Sequence, residues 1–96
     1  MAVDGVLPVV VYTVPAGRTF IARSILVVNS GAAAHKMDLR INGTACYSSS
    51  IPGAETGAVP DDVILNPGDV LSAVWDSVAG VGTVGVYGSL LAEGPS

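Results

Sequence analysis

His35-Lys36-Met37-Asp38-Leu39-Arg40-Ile41-Asn42-Gly43-Thr44 decides the fold. Met37, Leu39 and Ile41 fall on one side of an extended chain and Lys36, Asp38 and Arg40 on the other, the alternation of a strand with one face on a core and one in water. Asn42-Gly43 follows directly, and this pair suits a two-residue hairpin turn because both central residues of a type I′ turn need positive φ. The resulting register sets Ile41 opposite Thr44 and Leu39 opposite Cys46. It predicts Cys46 as a buried thiol on the core face and Tyr47 on the outer face near Asp38.

Outward from this hairpin the punctuation repeats. Turn signals stand at Pro15-Ala16-Gly17, Asn29-Ser30-Gly31, Asn42-Gly43, Ile51-Pro52-Gly53, Asn66-Pro67-Gly68-Asp69 and Asp76 to Gly80, a spacing that suits an all-β sandwich or barrel. Runs rich in Val and Ile lie between them. Strands are predicted over 7–14, 19–28, 35–41, 44–48, 62–65, 70–75 and 81–91. Gly or Pro interrupts almost every window long enough for a helix. The fold expected is all-β, one small antiparallel β-sandwich of about seven to eight strands, either a jelly roll or an Ig-like Greek key. The segment 48–61 reads as one long connection or an arm, and 1–6 and 92–96 read as short tails on a single domain spanning 1–96.

The 96 residues suffice for one domain and are too few for two. A chain of this size buries roughly 60–65% of its unfolded surface, so its core needs reinforcement. One cysteine forms no internal disulfide, and one histidine completes no Cys/His zinc site. Half of the residues are hydrophobic, mean hydropathy is +0.60 and 12% are charged. Soluble domains carry roughly 25% charge, so this chain has little with which to stay dispersed as a lone particle. No apolar run approaches the ~20 residues of a spanning helix, and a membrane partner is not expected. The opening residues lack the basic and apolar regions of a secretion signal, so folding in a cytoplasm is expected. Net charge is −4 with a pI near 4.4, and Arg18, Arg23, Lys36 and Arg40 are scattered, which disfavours direct nucleic-acid binding.

Catalytic patterns are sparse. His35 and Cys46 sit about four residues apart along the predicted hairpin, some 13 Å at ~3.3 Å per residue, too far for a nucleophile and its base. The acids Asp4, Asp38, Glu55, Asp61, Asp62, Asp69, Asp76 and Glu93 form no calcium-loop pattern and read as turn formers and solvated charges. The glycine-rich stretch 80–88 precedes no helix and so lacks a phosphate cradle. No catalytic residue, metal or cofactor is expected. Trp75 ends an apolar strand and reads as core, with stacking on a glycan beside Tyr12, Tyr47 or Tyr87 as the alternative.

The runs around Val9 to Val11 and Ile25 to Val28 are apolar on both faces, which requires cover on both sides. In a two-layer sandwich that cover is a loop or another subunit. The expected subunit contacts are the outer faces of Val9, Val11 and Val27, Ile51 and Pro52 of the long connection, and Leu90 and Leu91, with Arg18 and Arg23 reaching for a neighbour's acids.

Taken together, Tyr12-Thr13-Val14-Pro15-Ala16-Gly17-Arg18-Thr19-Phe20, Ile25-Leu26-Val27-Val28-Asn29, Ile41-Asn42-Gly43 and Leu65-Asn66-Pro67-Gly68-Asp69-Val70-Leu71 resemble the small β-sandwich structural proteins of tailed-bacteriophage virions. The resemblance covers about residues 12–91. It implies a non-enzymatic virion protein, foremost a capsid decoration or cement protein that forms a homo-oligomer, with a trimer favoured, and clamps the major capsid protein or neighbouring virion proteins. The alternative it implies is a collar, tail or head-fibre component that binds a carbohydrate or receptor. The implied location is the virion, after folding in the host bacterial cytoplasm.

Overall fold

The computed structural model describes residues 1–59 and 62–92. Its strands are β1 (Ala2–Asp4), β2 (Val9–Thr13), β3 (Arg18–Asn29), β4 (His35–Ile41), β5 (Thr44–Ile51), β6 (Thr56–Ala58), β7 (Val63–Leu65), β8 (Val70–Trp75) and β9 (Val81–Ala92). Sheet A has the order β1-β9-β3-β6, with β7 also pairing β3, and sheet B has the order β2-β8-β4-β5. All described pairings are antiparallel. The first strand lies beside the last, the second beside the eighth, and the β4–β5 hairpin folds back with them, the nested wrapping of a jelly roll rather than an Ig-like key. β6 and β7 share the place of one strand along β3.

The hairpin turn forms as its sequence requires, with Asn42 at φ 53° and Gly43 at φ 83°. A neighbouring turn is tied to it. Asn42 Nδ2 donates to Asp69 Oδ1 at 2.9 Å, and the Val70 N–H donates to Asn42 Oδ1 at 2.9 Å. Asp69 Oδ2 also accepts the Asn66 N–H at 2.8 Å, closing its own turn. Local turn chemistry thus fixes where β4 and β8 begin to pair.

The layers enclose a core in which Ile25, Met37, Leu39, Leu65, Leu71 and Trp75 are each at most 2% exposed. Trp75 on β8 crosses to sheet A, where its Nε1–H donates to the Val3 carbonyl at 2.7 Å. Gly80 and Gly82 make the room, because a Cβ at either position would overlap the Trp75 side chain. Residues 1–6 are therefore not a free tail: Ala2–Asp4 pairs with β9, and Val3 is fully buried beneath the indole. Of the other expected tail, Ala92 ends β9 and 93–96 lie outside the described residues.

The expected connection over 48–61 is likewise mostly strand. β5 runs on to Ile51, and Thr56–Ala58 pairs with Leu26 to Val28; Pro60 and Asp61 lie outside the described residues. Asn29 holds this region. It has no exposed surface, its Nδ2 donates to the carbonyls of Ala33 and Ile51 at 2.9 Å each, and its Oδ1 accepts the Gly31 N–H at 3.0 Å. One amide so satisfies the connection between the sheets and the end of β5.

Three bulges reset which residues face inward. The first lies between Val10 and Tyr12 on β2, the second between Ala22 and Ser24 on β3, and the third opposite Leu39 and Arg40 on β5. Each inserts one residue and exchanges the two faces beyond it. On β5 the bulge sets Tyr47, not Cys46, opposite Leu39. Cys46 is exposed and Tyr47 packs against the core, the reverse of the expected arrangement.

Asn29→Ala is expected to leave two carbonyls and one N–H without their partner and to lower stability by about 3 kcal/mol. Urea unfolding followed by Trp75 fluorescence checks this, as a lower midpoint at unchanged slope.

Candidate functional site

The expected contact residues divide sharply. Val27 is 3% exposed and Ile51 4%, and Val9 and Val11 pack against the core, so none of the four offers an outer face. The β3 bulge is the reason for Val27: Phe20 and Ala22 point inward before it, and Ile25 and Val27 after it. The β2 bulge turns Val11 and Tyr12 to the core together and leaves Val10 half exposed. Pro52 and Arg18 are exposed, as are Leu90 and Leu91. Arg23 finds its acid within the chain, at 3.3 Å from Asp62. As both side chains are more than half exposed, the pair contributes little. Trp75 is 1% exposed and presents no ring to a sugar, and Tyr47 is half-buried.

His35 and Cys46 stay apart. His35 pairs in register with Ile51 at the open end of the hairpin, sits edge-on to Trp75 with ring centroids 6.3 Å apart, and has Nδ1 3.8 Å from Asp76 Oδ1. Among the described residues, no three His, Cys, Asp or Glu side chains gather as a metal site would require. Cys46 lies at the mouth of a cleft of about 340 Å³ between the β5 and β7 edges, with Ile25, Leu39, Val63 and Ile64 among its walls. Partial burial there pushes its thiol pKa up, against a smaller opposing effect of a backbone hydrogen bond.

The most distinctive surface is the outer face of sheet A. Cross-strand pairs place Ile21 with Ile64 and Ser89, Leu26 with Gly85 and Ala58, Val28 with Thr83 and Thr56, and Ser24 with Tyr87 on this side. Among the described strand residues its charges are Asp4 on the edge strand β1 and Arg23 on the β3 bulge, where Arg23 pairs with Asp62 beside β7. Ile64 is 64% exposed and Tyr87 60%. The Tyr87 ring lies along the sheet over Gly85, where a Cβ would come within 2.9 Å of Cε2 and 3.0 Å of the hydroxyl. Gly85 thereby permits an aromatic plate parallel to the surface. The opposite face differs. Sheet B turns Lys36, Asp38 and Arg40 outward, and Asp38 accepts a hydrogen bond from the Ser48 hydroxyl. One side of the sandwich is dressed for water and the other is not.

The sequence reading anticipated that β3 would be apolar on both sides, and Leu26 and Val28 are its outward members. It weighed Tyr87 for glycan stacking but named neither Tyr87 nor Ile64 among the contact residues. The signal was the glycine at 85, two residues before an aromatic on the same side of a strand.

The raised pKa keeps Cys46 mostly protonated at neutral pH. Alkylation of the native protein should be slower than that of a free thiol and should keep accelerating as pH passes the ordinary thiol range; mass spectrometry of timed quenches checks this.

No protein-family model matches the chain, and no curated protein sequence matches it. Among solved structures, the chain is similar to a family 35 carbohydrate-binding module from an environmental isolate. The TM-score is 0.60 at 20% identity, over 96% of this chain and 74% of that one. This likeness is one of fold, and the chain is an all-β, two-sheet sandwich.

Proposed function

We propose that the chain is a non-enzymatic structural protein of a tailed-bacteriophage virion, a capsid decoration protein that lays the outer face of sheet A against neighbouring shell subunits. The observation that carries this reading is that face, apolar across β7, β3 and β9, with the Arg23 charge on the β3 bulge paired to Asp62. Burying such a surface contributes ~25 cal/mol per Å² of apolar area, and a stable contact covers about 800 Å² on each partner. The residues that resemble virion proteins support the same role, since they shape turns and strands and bring no reactive groups. The protein folds in the host cytoplasm and acts in the assembled particle. Its partners are other copies of itself and the major capsid protein.

A second reading is favoured by Tyr87 lying flat over Gly85 and by the likeness to a carbohydrate-binding module. An aromatic plate with a hydroxyl at its rim suits stacking on a sugar ring. On this reading the protein is a collar, tail or head-fibre component that touches a host glycan. Fold alone does not carry function, and the structural role remains the stronger because the apolar surface extends well beyond one ring.

Two measurements separate the readings. Proteomics of purified particles is expected to find the chain, and the double variant Ile64→Lys/Tyr87→Lys is expected to keep its β circular dichroism while no longer joining particles. Absence of the wild-type chain from particles, or undiminished incorporation of the variant, contradicts the structural role. Glycan-array binding abolished by Tyr87→Ala would instead favour the second.

A further inference from the structure

Sheets end in edges, and edges expose unpaired N–H and C=O groups that another strand can take. Most edges here are blunted. β1, β6 and β7 are three residues each, and β1 carries Asp4. β2 follows Pro8, is five residues long and is kinked by its bulge. β5 is the longest edge, and beyond its bulge at Cys46 it keeps a regular run over 47–51. It is eight residues long, Thr-Ala-Cys-Tyr-Ser-Ser-Ser-Ile, without a charged residue or a proline. It ends sheet B with β4 as its neighbour. Among the described residues, no backbone group of 44–50 bonds to any element other than β4. Over the regular run 47–51 every second residue therefore turns its N–H and C=O away from the sandwich.

We propose that the run 47–51 of this edge pairs antiparallel with the same run of a second copy of the chain across a two-fold axis at Ser49, which sets Ser50 of each copy opposite Ser48 and diagonal to Ser50 of the other and joins the two sheets B into one eight-stranded sheet. Self-pairing places each strand against its own composition, so any net charge on the edge would meet the same charge. β5 has none, whereas its neighbour β4 carries Lys36, Asp38 and Arg40. A run of three serines at 48, 49 and 50 suits the contact, since hydroxyls bond across paired strands without needing a particular partner. The axis closes at two copies, which gives a dimer in place of the trimer that the resemblance implies. The edge is separate from the outer face of sheet A, so the dimer and the shell contact stand or fall independently.

Charge swapping at Ser50 tests this, because Ser50 is exposed and its hydroxyl makes no hydrogen bond among the described residues. Light scattering on a gel-filtration column at tens of micromolar is expected to give a dimer for the wild type and monomers for Ser50→Lys and Ser50→Glu. An equal mixture of the two variants is expected to restore the dimer. Hydrogen exchange on the wild type supplies a readout free of substitutions: dilution should accelerate amides within 47–51 and leave those of β2 unchanged. A monomeric wild type, a dimer that persists in both variants, or exchange over 47–51 that ignores concentration overturns the proposal.

Discussion

The indole of Trp75 holds the two sheets together at one end of the sandwich. It starts on β8 in sheet B and donates to the Val3 carbonyl of β1 in sheet A, while the Trp75 N–H donates to the Gly5 carbonyl at 3.1 Å. Burial of so large a side chain is worth about 3–5 kcal/mol against truncation, far more than the hydrogen bond it carries, so the bond serves chiefly to fix the register of β1. The glycines at 80 and 82 exist in this context: one passes under the ring, and the other lets β9 approach the Val28 carbonyl and the ring together. With β1 fixed, β9 has neighbours on both sides and the jelly roll closes.

That closure determines what is left outside. A core this thin accepts one face of each sheet, and β3 brings apolar residues to both. Ile25 and Val27 go in, and Leu26 and Val28 remain on the outer side with Ile21. Sheet B covers its outer face with charged side chains from β4, beneath which Val74 and Ser72 are buried. Sheet A turns fewer charges outward, Asp4 on β1 and Arg23 on the β3 bulge among its described strand residues. The low charge of the chain is therefore unevenly placed, and the sparsely charged side is the one available to a neighbour.

Turns and strands were legible in the sequence because their causes are local. Asn42-Gly43 specified its turn and Asn66-Pro67-Gly68-Asp69 its own, and the seven expected strands coincide with β2 to β5 and β7 to β9, with β5 running three residues further than expected. The faces were less legible. A bulge inserts one residue for reasons that lie in the partner strand, and each of the three here exchanged inside and outside: Tyr12 and Val27 turned inward, while Cys46 and Tyr47 traded places. The short strands β1 and β6 were invisible for a related reason. Three residues carry no period, and their strand character comes from what they pair with: β9 for Ala2–Asp4 and β3 for Thr56–Ala58. Asn29 read as a turn former and is instead the fully buried end of β3, because its amide finds three partners that a sequence does not display.

The central claim is that the two faces of the sandwich have different roles and that the outer side of sheet A meets the neighbour. Hydroxyl-radical footprinting of the protein free and in assembled particles tests it most directly. Protection of Tyr87, Ile64 and Leu91 on assembly, with Val10 on sheet B still open to modification, is the predicted pattern. Protection of Val10 with Tyr87 and Ile64 unchanged would contradict it.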